Sequence, residues 1–289
     1  TVRSALGDGE SGDGIASPTP AEIVFSKDQI RRQIQMTPEE QYRYDINGYI
    51  LLKNAIPPAE LQRCNKVVDG WEDRAREDLL HKEPAENQEV RYDDIINQEP
   101  GLVELAAHPV ILPYLDEMIE KPRLKSTWIA FKWNQGRTNI HSNHTPSVTH
   151  NFYHFNGQIR HNLLNLMYAM GDIEPGGGGL KVIPGSHKSN YPSQPADDVS
   201  DMLVELTMKA GDVLLFSHDM AHCSLNESDV VRRTVMFTYC PGVIANSFGG
   251  DTLYDRVHAD AEDQSWLKYL TRQPNGFLET YDRPGDFSR

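Results

Sequence analysis

The sequence predicts a mainly β domain, a sandwich or barrel, with helices buttressing one face. Two observations carry that expectation. Apolar residues recur at helical spacing only in the N-terminal third, and from Arg123 onward they fall into many short runs punctuated by Gly and Pro. In a chain of 289 residues, helices first and strands later fit one domain with accessories.

Residues 1–24 are rich in Gly, Ser, Asp and Pro, show no periodicity and are expected to form a disordered tail. Thr37-Pro38-Glu39-Glu40 supplies an N-cap, a proline at the first helical position and acids in the first turn, so a short helix starts there. Gly48–Asn54 reads as a strand. After Pro57-Pro58, the spacing of Leu61, Cys64, Val67, Val68 and Trp71 predicts a long amphipathic helix ending near Leu80. A second helical region runs from Gly101 to the neighbourhood of Glu120, interrupted near Pro109 and Pro113. Strands are expected over residues 125–133, 163–170, 180–183, 204–208, 212–216 and 234–239, with turns at Pro175–Gly179 and Ala210-Gly211. The helix-buttressed barrel thus covers residues 25–245. Residues 246–289 are mixed and polar, with a helix expected around Asp260–Leu270, and read as a C-terminal extension serving as a lid or an interface arm.

The formal net charge of −14, with no basic stripe to offset it, argues against nucleic acid and anionic membrane surfaces as partners. No apolar run reaches the roughly eighteen residues needed to span a bilayer, and the N-terminal residues lack the apolar segment of a signal peptide. A cytoplasmic location is the default expectation, and homo-oligomerisation stays open. Cys64, Cys223 and Cys240 are widely spaced, form no CxxC pair and read as buried thiols in a reducing compartment.

Five histidines lie between His141 and His161, and another, His222, follows the run Gly211-Asp-Val-Leu-Leu-Phe216. Two imidazoles from distant strands can hold a divalent transition metal, and Arg232, entering the strand Thr234–Tyr239, can grip a carboxylate bidentately. Strand alternation sends one of Arg232 and Arg233 into the barrel and the other out. Each feature has a plainer reading: His222 as a hydrogen-bonded core histidine, and the arginine pair as a solvated strand entrance. The glycine run Gly176–Gly179 lacks the Gly-Lys-Ser/Thr of a phosphate loop and reads as a turn. His154 and His161 fall in an insert at the barrel mouth, where substrate contact and ordinary packing are both open. His218 and Asp219 read as residues that support a metal-bound histidine or the local structure.

Three segments in order carry a resemblance. They are Asp45-Ile-Asn-Gly-Tyr-Ile-Leu-Leu52, the stretch Leu166–Lys188 with Gly171-Asp-Ile-Glu-Pro-Gly-Gly-Gly-Gly179 and Pro184-Gly-Ser-His-Lys188, and Ala210-Gly-Asp-Val-Leu-Leu-Phe216 through His222 to Arg232. Over residues 37–240 the chain resembles the phytanoyl-CoA dioxygenase family of Fe(II)- and 2-oxoglutarate-dependent oxygenases. The resemblance implies a double-stranded β-helix, the jelly-roll or cupin-like barrel. It implies His222 as the distal iron ligand and Arg232 as the residue binding the C5 carboxylate of 2-oxoglutarate, with Arg233 as the alternative. The family's proximal His-x-Asp pair is best matched by His141-Ser142-Asn143, so His141, Asn143 and His222 are the metal candidates.

Asn143 departs from that pattern, because a neutral amide is a weaker donor to a hard cation than a carboxylate. Alternative registers use His150-Asn151-Phe152, or recruit His144 or His150 as a third imidazole. The expected activity is oxidation, foremost hydroxylation, of an unactivated C–H bond in a small organic substrate, with O2 and 2-oxoglutarate consumed. Two other readings exploit the missing acid: halogenase-like or other variant chemistry at an open coordination position, and a noncatalytic jelly-roll binding protein.

Overall fold

The computed structural model of the protein describes residues 22–24, 36–83, 86–142, 152–191, 194–244, 257, 265–274 and 283–284. Helix α1 (Pro38–Asn47) starts where the sequence places it. The Thr37 hydroxyl accepts from the Glu40 amide, and the Glu40 carboxylate accepts from the Thr37 amide at 2.6 Å, a reciprocal capping box. Strand β2 (Tyr49–Lys53) and helix α2 (Pro58–Leu79) follow as expected. The second helical region is divided, as its prolines require, into a 3-10 helix over Pro100–Ala107 and helix α4 (Leu112–Met118), preceded by the short helix α3 (Ile95–Gln98). Strand β3 (Glu89–Asp93) is an element the sequence did not signal.

The remaining strands are β1 (Glu22–Val24), β4 (Pro122–Lys132), β5 (Arg137–His141), β6 (Phe152–Phe155), β7 (Gln158–His161), β8 (Leu164–Ala169), β9 (Lys181–Val182), β10 (Val204–Glu205), β11 (Val213–Ser217), β12 (His222–Leu225) and β13 (Arg232–Pro241). A seven-stranded sheet runs β1-β2-β11-β8-β13-β4-β3, and a four-stranded sheet runs β10-β9-β12-β5. The strands β6 and β7 form a separate hairpin, and from β4 to β13 the rest of the chain crosses repeatedly between the two sheets, as in the double-stranded β-helix expected. One correction concerns the N-terminus. Glu22–Val24 belong to the stretch assigned to a tail, yet they pair in parallel with β2 as an edge strand, since the edge of β2 offers unpaired backbone groups to a further strand. Residues 1–21 lie outside the described residues.

Alternation explains the core. On the large sheet, Ile50, Leu52, Leu166, Tyr168, Val213, Leu215, Val235 and Phe237 face the helices and pack with Leu105, Leu112 and Leu115. Leu51, Met167, Ala169, Leu214, Phe216 and Met236 face the other way, toward Val182, Leu206 and Met208 of the small-sheet side. Both faces are buried, so the inner face is where a polar side chain becomes conspicuous. At the C-terminal end, α5 (Trp266–Thr271) places Trp266, Tyr269 and Leu270 in the helix-side core. The buried Arg272 donates to the carbonyls of Lys121, Pro122 and Tyr269. Most of the rest of 246–289 lies outside the described residues.

Gly48 closes α1 at φ +80°, and a Cβ there would stand 2.4 Å from His187 Nδ1. Left-handed backbone alone costs an L-residue about 1–2 kcal/mol. Gly48→Ala is therefore expected to lower unfolding stability by more than that amount, read as a shifted urea midpoint at unchanged slope.

Candidate metal and co-substrate site

Strands β12 and β5 are antiparallel neighbours, and their register sets His222 opposite His141. Between that pair and Ser224 opposite Thr138 the register shifts, leaving an extra residue on β5. Such a bulge re-aims side chains at a strand end. The two imidazoles stand with ring centroids 4.2 Å apart. Each has its Nδ1 against a backbone carbonyl two residues earlier, His141 on Asn139 at 2.9 Å and His222 on Met220 at 2.7 Å. That contact places the proton on Nδ1 and leaves Nε2 as the lone-pair nitrogen, the arrangement a metal-binding histidine needs. Burial, and next the neighbouring His141, pull His222 down to about 3, so it is neutral at physiological pH and competent as a ligand.

Asn143, His144 and His150 lie outside the described residues, so the third donor and the alternative registers do too. Among the described residues no group of three or more His, Cys, Asp or Glu side chains converges. The two histidines fit a divalent metal through paired Nε2 atoms. His141 is exposed at the strand end while His222 is buried, which puts the pair at the barrel mouth.

On the large sheet, β13 turns Arg232 inward and Arg233 outward. Arg233 pairs with Asp69 and, at 3.3 Å, with Glu72 of α2. Arg232 is buried, with Nη1 donating to Gly178 O at 3.1 Å and Ser224 Oγ at 3.4 Å, and Nη2 to Thr234 Oγ1 at 3.2 Å and the weak acceptor Met167 Sδ at 3.3 Å. Its Nε is buried with no hydrogen-bond partner among the described residues. A buried, under-satisfied guanidinium with no carboxylate bonded to it among the described residues fits an anionic ligand. The glycine run has its explanation here: Gly178, at φ +81°, is where a Cβ would come 3.3 Å from Arg232 Cδ, so its missing side chain lets the loop wrap the arginine.

Sequence reading missed Lys132, which registers opposite Arg232 across β4 and β13. Only 2 % exposed, its ammonium donates to Thr138 and to Ser224 Oγ at 2.6 Å, and lies 3.4 Å from Glu89 Oε2. Burial, then the adjacent Arg232, pull its pKa down to about 7 against the opposing pull of Glu89. The available signal was a lone cation at the end of the apolar run Trp128–Phe131. Ser224 was findable as well, since it shares the strand face of His222.

His161 and His218 have structural partners. His161 is buried with Nε2 2.8 Å from the Tyr44 hydroxyl, whereas His154 is exposed on the β6–β7 hairpin. His218 Nδ1 meets Asn165 Nδ2 at 2.9 Å, and Thr238 donates to Asn165 Oδ1 at 2.8 Å, so a polar chain crosses the inner face at the mouth. Asp219, fully buried, accepts from the Phe152 amide at 3.1 Å and ties the hairpin to the turn before His222. Cys64, Cys223 and Cys240 are buried and none is in a disulfide.

Solved structures share the fold. HygX from Streptomyces hygroscopicus, with nickel and 2-oxoglutarate bound, matches at TM-score 0.63 and 18% identity over 75% of this chain and 91% of that one. The epimerase SnoN, in complex with Fe3+, alpha ketoglutarate and nogalamycin RO, matches at TM-score 0.52 and 19% identity over 81% and 92%. Among curated proteins, Dioxygenase FUM3 of Gibberella moniliformis is 35% identical over 83 residues, which span 28% of this chain and only 27% of FUM3. The profile of the family described as Phytanoyl-CoA dioxygenase (PhyH) matches residues 44–234, well over half of the sequence. With the jelly roll in place and that match running from α1 into β13, the chain belongs to the phytanoyl-CoA dioxygenase family of Fe(II)- and 2-oxoglutarate-dependent oxygenases.

Proposed function

We propose that the protein is an Fe(II)/2-oxoglutarate-dependent oxygenase that hydroxylates an unactivated C–H bond of a small organic substrate. The observation that carries the reading is the combination of two imidazoles with free Nε2 atoms on the small sheet and, on the large sheet, a buried arginine whose Nε has no partner among the described residues. His141 and His222 hold the metal, with Asn143 as the third candidate. Arg232 holds the C5 carboxylate of 2-oxoglutarate. Bound iron would supply oxygen activation coupled to oxidative decarboxylation of the co-substrate.

The chain's own residues prepare that chemistry. The Asn139 and Met220 carbonyls fix the tautomers of the two ligands, so no proton must leave Nε2 on metal binding. Met167, Thr234 and Gly178 bond the Arg232 guanidinium and hold it in a buried position. The net charge of −14 disfavours a large acyl-CoA, whose phosphates call for a basic rim. Neighbours crystallised with hygromycin B or nogalamycin RO support a natural-product substrate.

Asn143 favours a second reading, variant chemistry such as halogenation at a coordination position that no carboxylate fills. Iron content with substrate-free 2-oxoglutarate turnover tests the oxygenase reading against a noncatalytic binding protein. No iron and no turnover would overturn it. Product analysis with and without chloride then separates hydroxylation from halogenation. Asn143→Asp is expected to tighten iron binding. If coupled turnover rises with it, Asn143 weakens an ordinary hydroxylase; loss of the native product would instead mark specialised chemistry. Equal iron affinity would remove residue 143 from the metal and move the search to His144 and His150.

A further inference from the structure

Lys132 and Arg232 place two cationic side chains side by side in the protein interior, registered opposite each other on β4 and β13 and sharing one hydroxyl, Ser224 Oγ. Adjacent buried cations repel, and burial strips both of water. The pair persists because Glu89, from edge strand β3, stands 3.4 Å from the Lys132 ammonium. That carboxylate is the only anionic oxygen within ion-pairing distance of either cation among the described residues. Its side chain is 19% exposed, and with Arg91, Arg137, Thr138 and Asn139 it lines a cleft of about 500 Å³ between β3 and β5. The arrangement is a cationic pocket with a single resident counter-ion on its solvent side.

We propose that Lys132 is the second cation of the 2-oxoglutarate pocket and that Glu89 is a positioning residue, its placeholder counter-ion, which loses its hold on Lys132 when the co-substrate carboxylate binds. This rests on the assignment of Arg232 to that carboxylate. Ser224, bonded to both cations, marks where a carboxylate oxygen can be reached by all three groups. The ammonium's three protons are directed at Thr138, Ser224 and Glu89, so it gains the ligand by exchanging one of these partners. The longest of the three contacts is the one to Glu89.

A proton count follows. The groups facing Lys132 are Arg232 from β13, Glu89 from β3 and, from β12, Cys223 and His222, with neutral Thr138 from β5. Arg232 stays protonated at neutral pH, its burial bringing it only to about 10. Lys132, held near 7 in the free pocket, gains proton affinity once a carboxylate lies beside it. The complex therefore holds more protons than the free protein above pH 7, and binding weakens as pH rises through that value, by up to about tenfold per pH unit.

The test is calorimetric titration of the anaerobic Fe(II) protein with 2-oxoglutarate from pH 6 to 8.5, in buffers of different ionisation enthalpy. A second titration uses the metal-free protein and glutarate. Wild type is expected to take up close to one proton per co-substrate above pH 7. Lys132→Met, at unchanged iron content, should bind at least about tenfold more weakly at pH 6 and lose the pH dependence. Glu89→Gln, a change at a partly buried edge position, should bind more tightly at pH 6 and move the alkaline weakening to lower pH. Wild-type affinity, proton uptake and pH profile in both variants would overturn the proposal. If Arg232→Lys alone weakens binding, the arginine assignment survives and the inference fails. If none of the three variants affects it, the pocket itself is misassigned.

Discussion

His222→Ala is expected to abolish iron binding, with affinity falling by more than about 100-fold, since losing even an outer partner of a ligating histidine costs 10–100-fold. The physical reason is the thinness of the donor set. Two imidazoles paired across β5 and β12 are the proposed ligands, and Asn143 would add at best a neutral oxygen. His222 is also the buried member of the pair, neutral through its burial, so no proton competes with the metal. Iron content after anaerobic reconstitution reads the outcome, and far-ultraviolet circular dichroism checks the fold. A variant retaining stoichiometric iron would remove His222 from the site. His141→Ala should behave alike, and if His150→Ala is damaging in its place the proximal register moves to that residue.

The second large effect is at Arg232. A guanidinium offers two parallel N–H bonds to a carboxylate, and a lysine ammonium in its place cannot reproduce the fork. Arg232→Lys is expected to raise the 2-oxoglutarate dissociation constant at least tenfold, about 1.4 kcal/mol. Arg233→Lys should leave it within twofold, because that side chain faces away and pairs with Asp69 and Glu72 on α2. The reverse pattern, measured by anaerobic titration of the iron protein, would show that the outward arginine is the one that matters.

Legibility in the sequence followed local chemistry. Helix α1 was readable because Thr37, Pro38 and Glu40 are adjacent in the chain and satisfy the helix's own orphan amides. Strands β8, β11 and β13 were readable as apolar runs because both of their faces are buried. Strands β3 and β5 were not. Glu89-Val-Arg-Tyr-Asp93 and Arg137-Thr-Asn-Ile-His141 lie at sheet edges, carry charged or polar residues as edges do, and so lack the apolar signal. That omission concealed Glu89 and the cleft beside it.

The inward arginine is an intermediate case. Sequence reading required that Arg232 and Arg233 point opposite ways, and the frame of β13 selected Arg232, which shares the inner face with Thr234 and Met236. The same frame, carried across the β4–β13 ladder, brought in Lys132. No local pattern marked that lysine as more than the polar end of a strand.

The sequence by itself determined the family, the starts of the helices, the two-faced apolar strands and the landmarks His222 and Arg232, because each is encoded by neighbours within a few residues or by the order of segments. Only the tertiary structure decided which residues meet. His141 reaches His222 through the β5–β12 register and its bulge, and Lys132 reaches Ser224 across 92 residues. Cross-strand register is set by the summed burial and hydrogen bonding of the whole sheet, and a shift of one residue turns every side chain to the opposite face. That is why the chemistry of the pocket is a property of the assembled barrel, while the residue types that make it possible are already present in the chain.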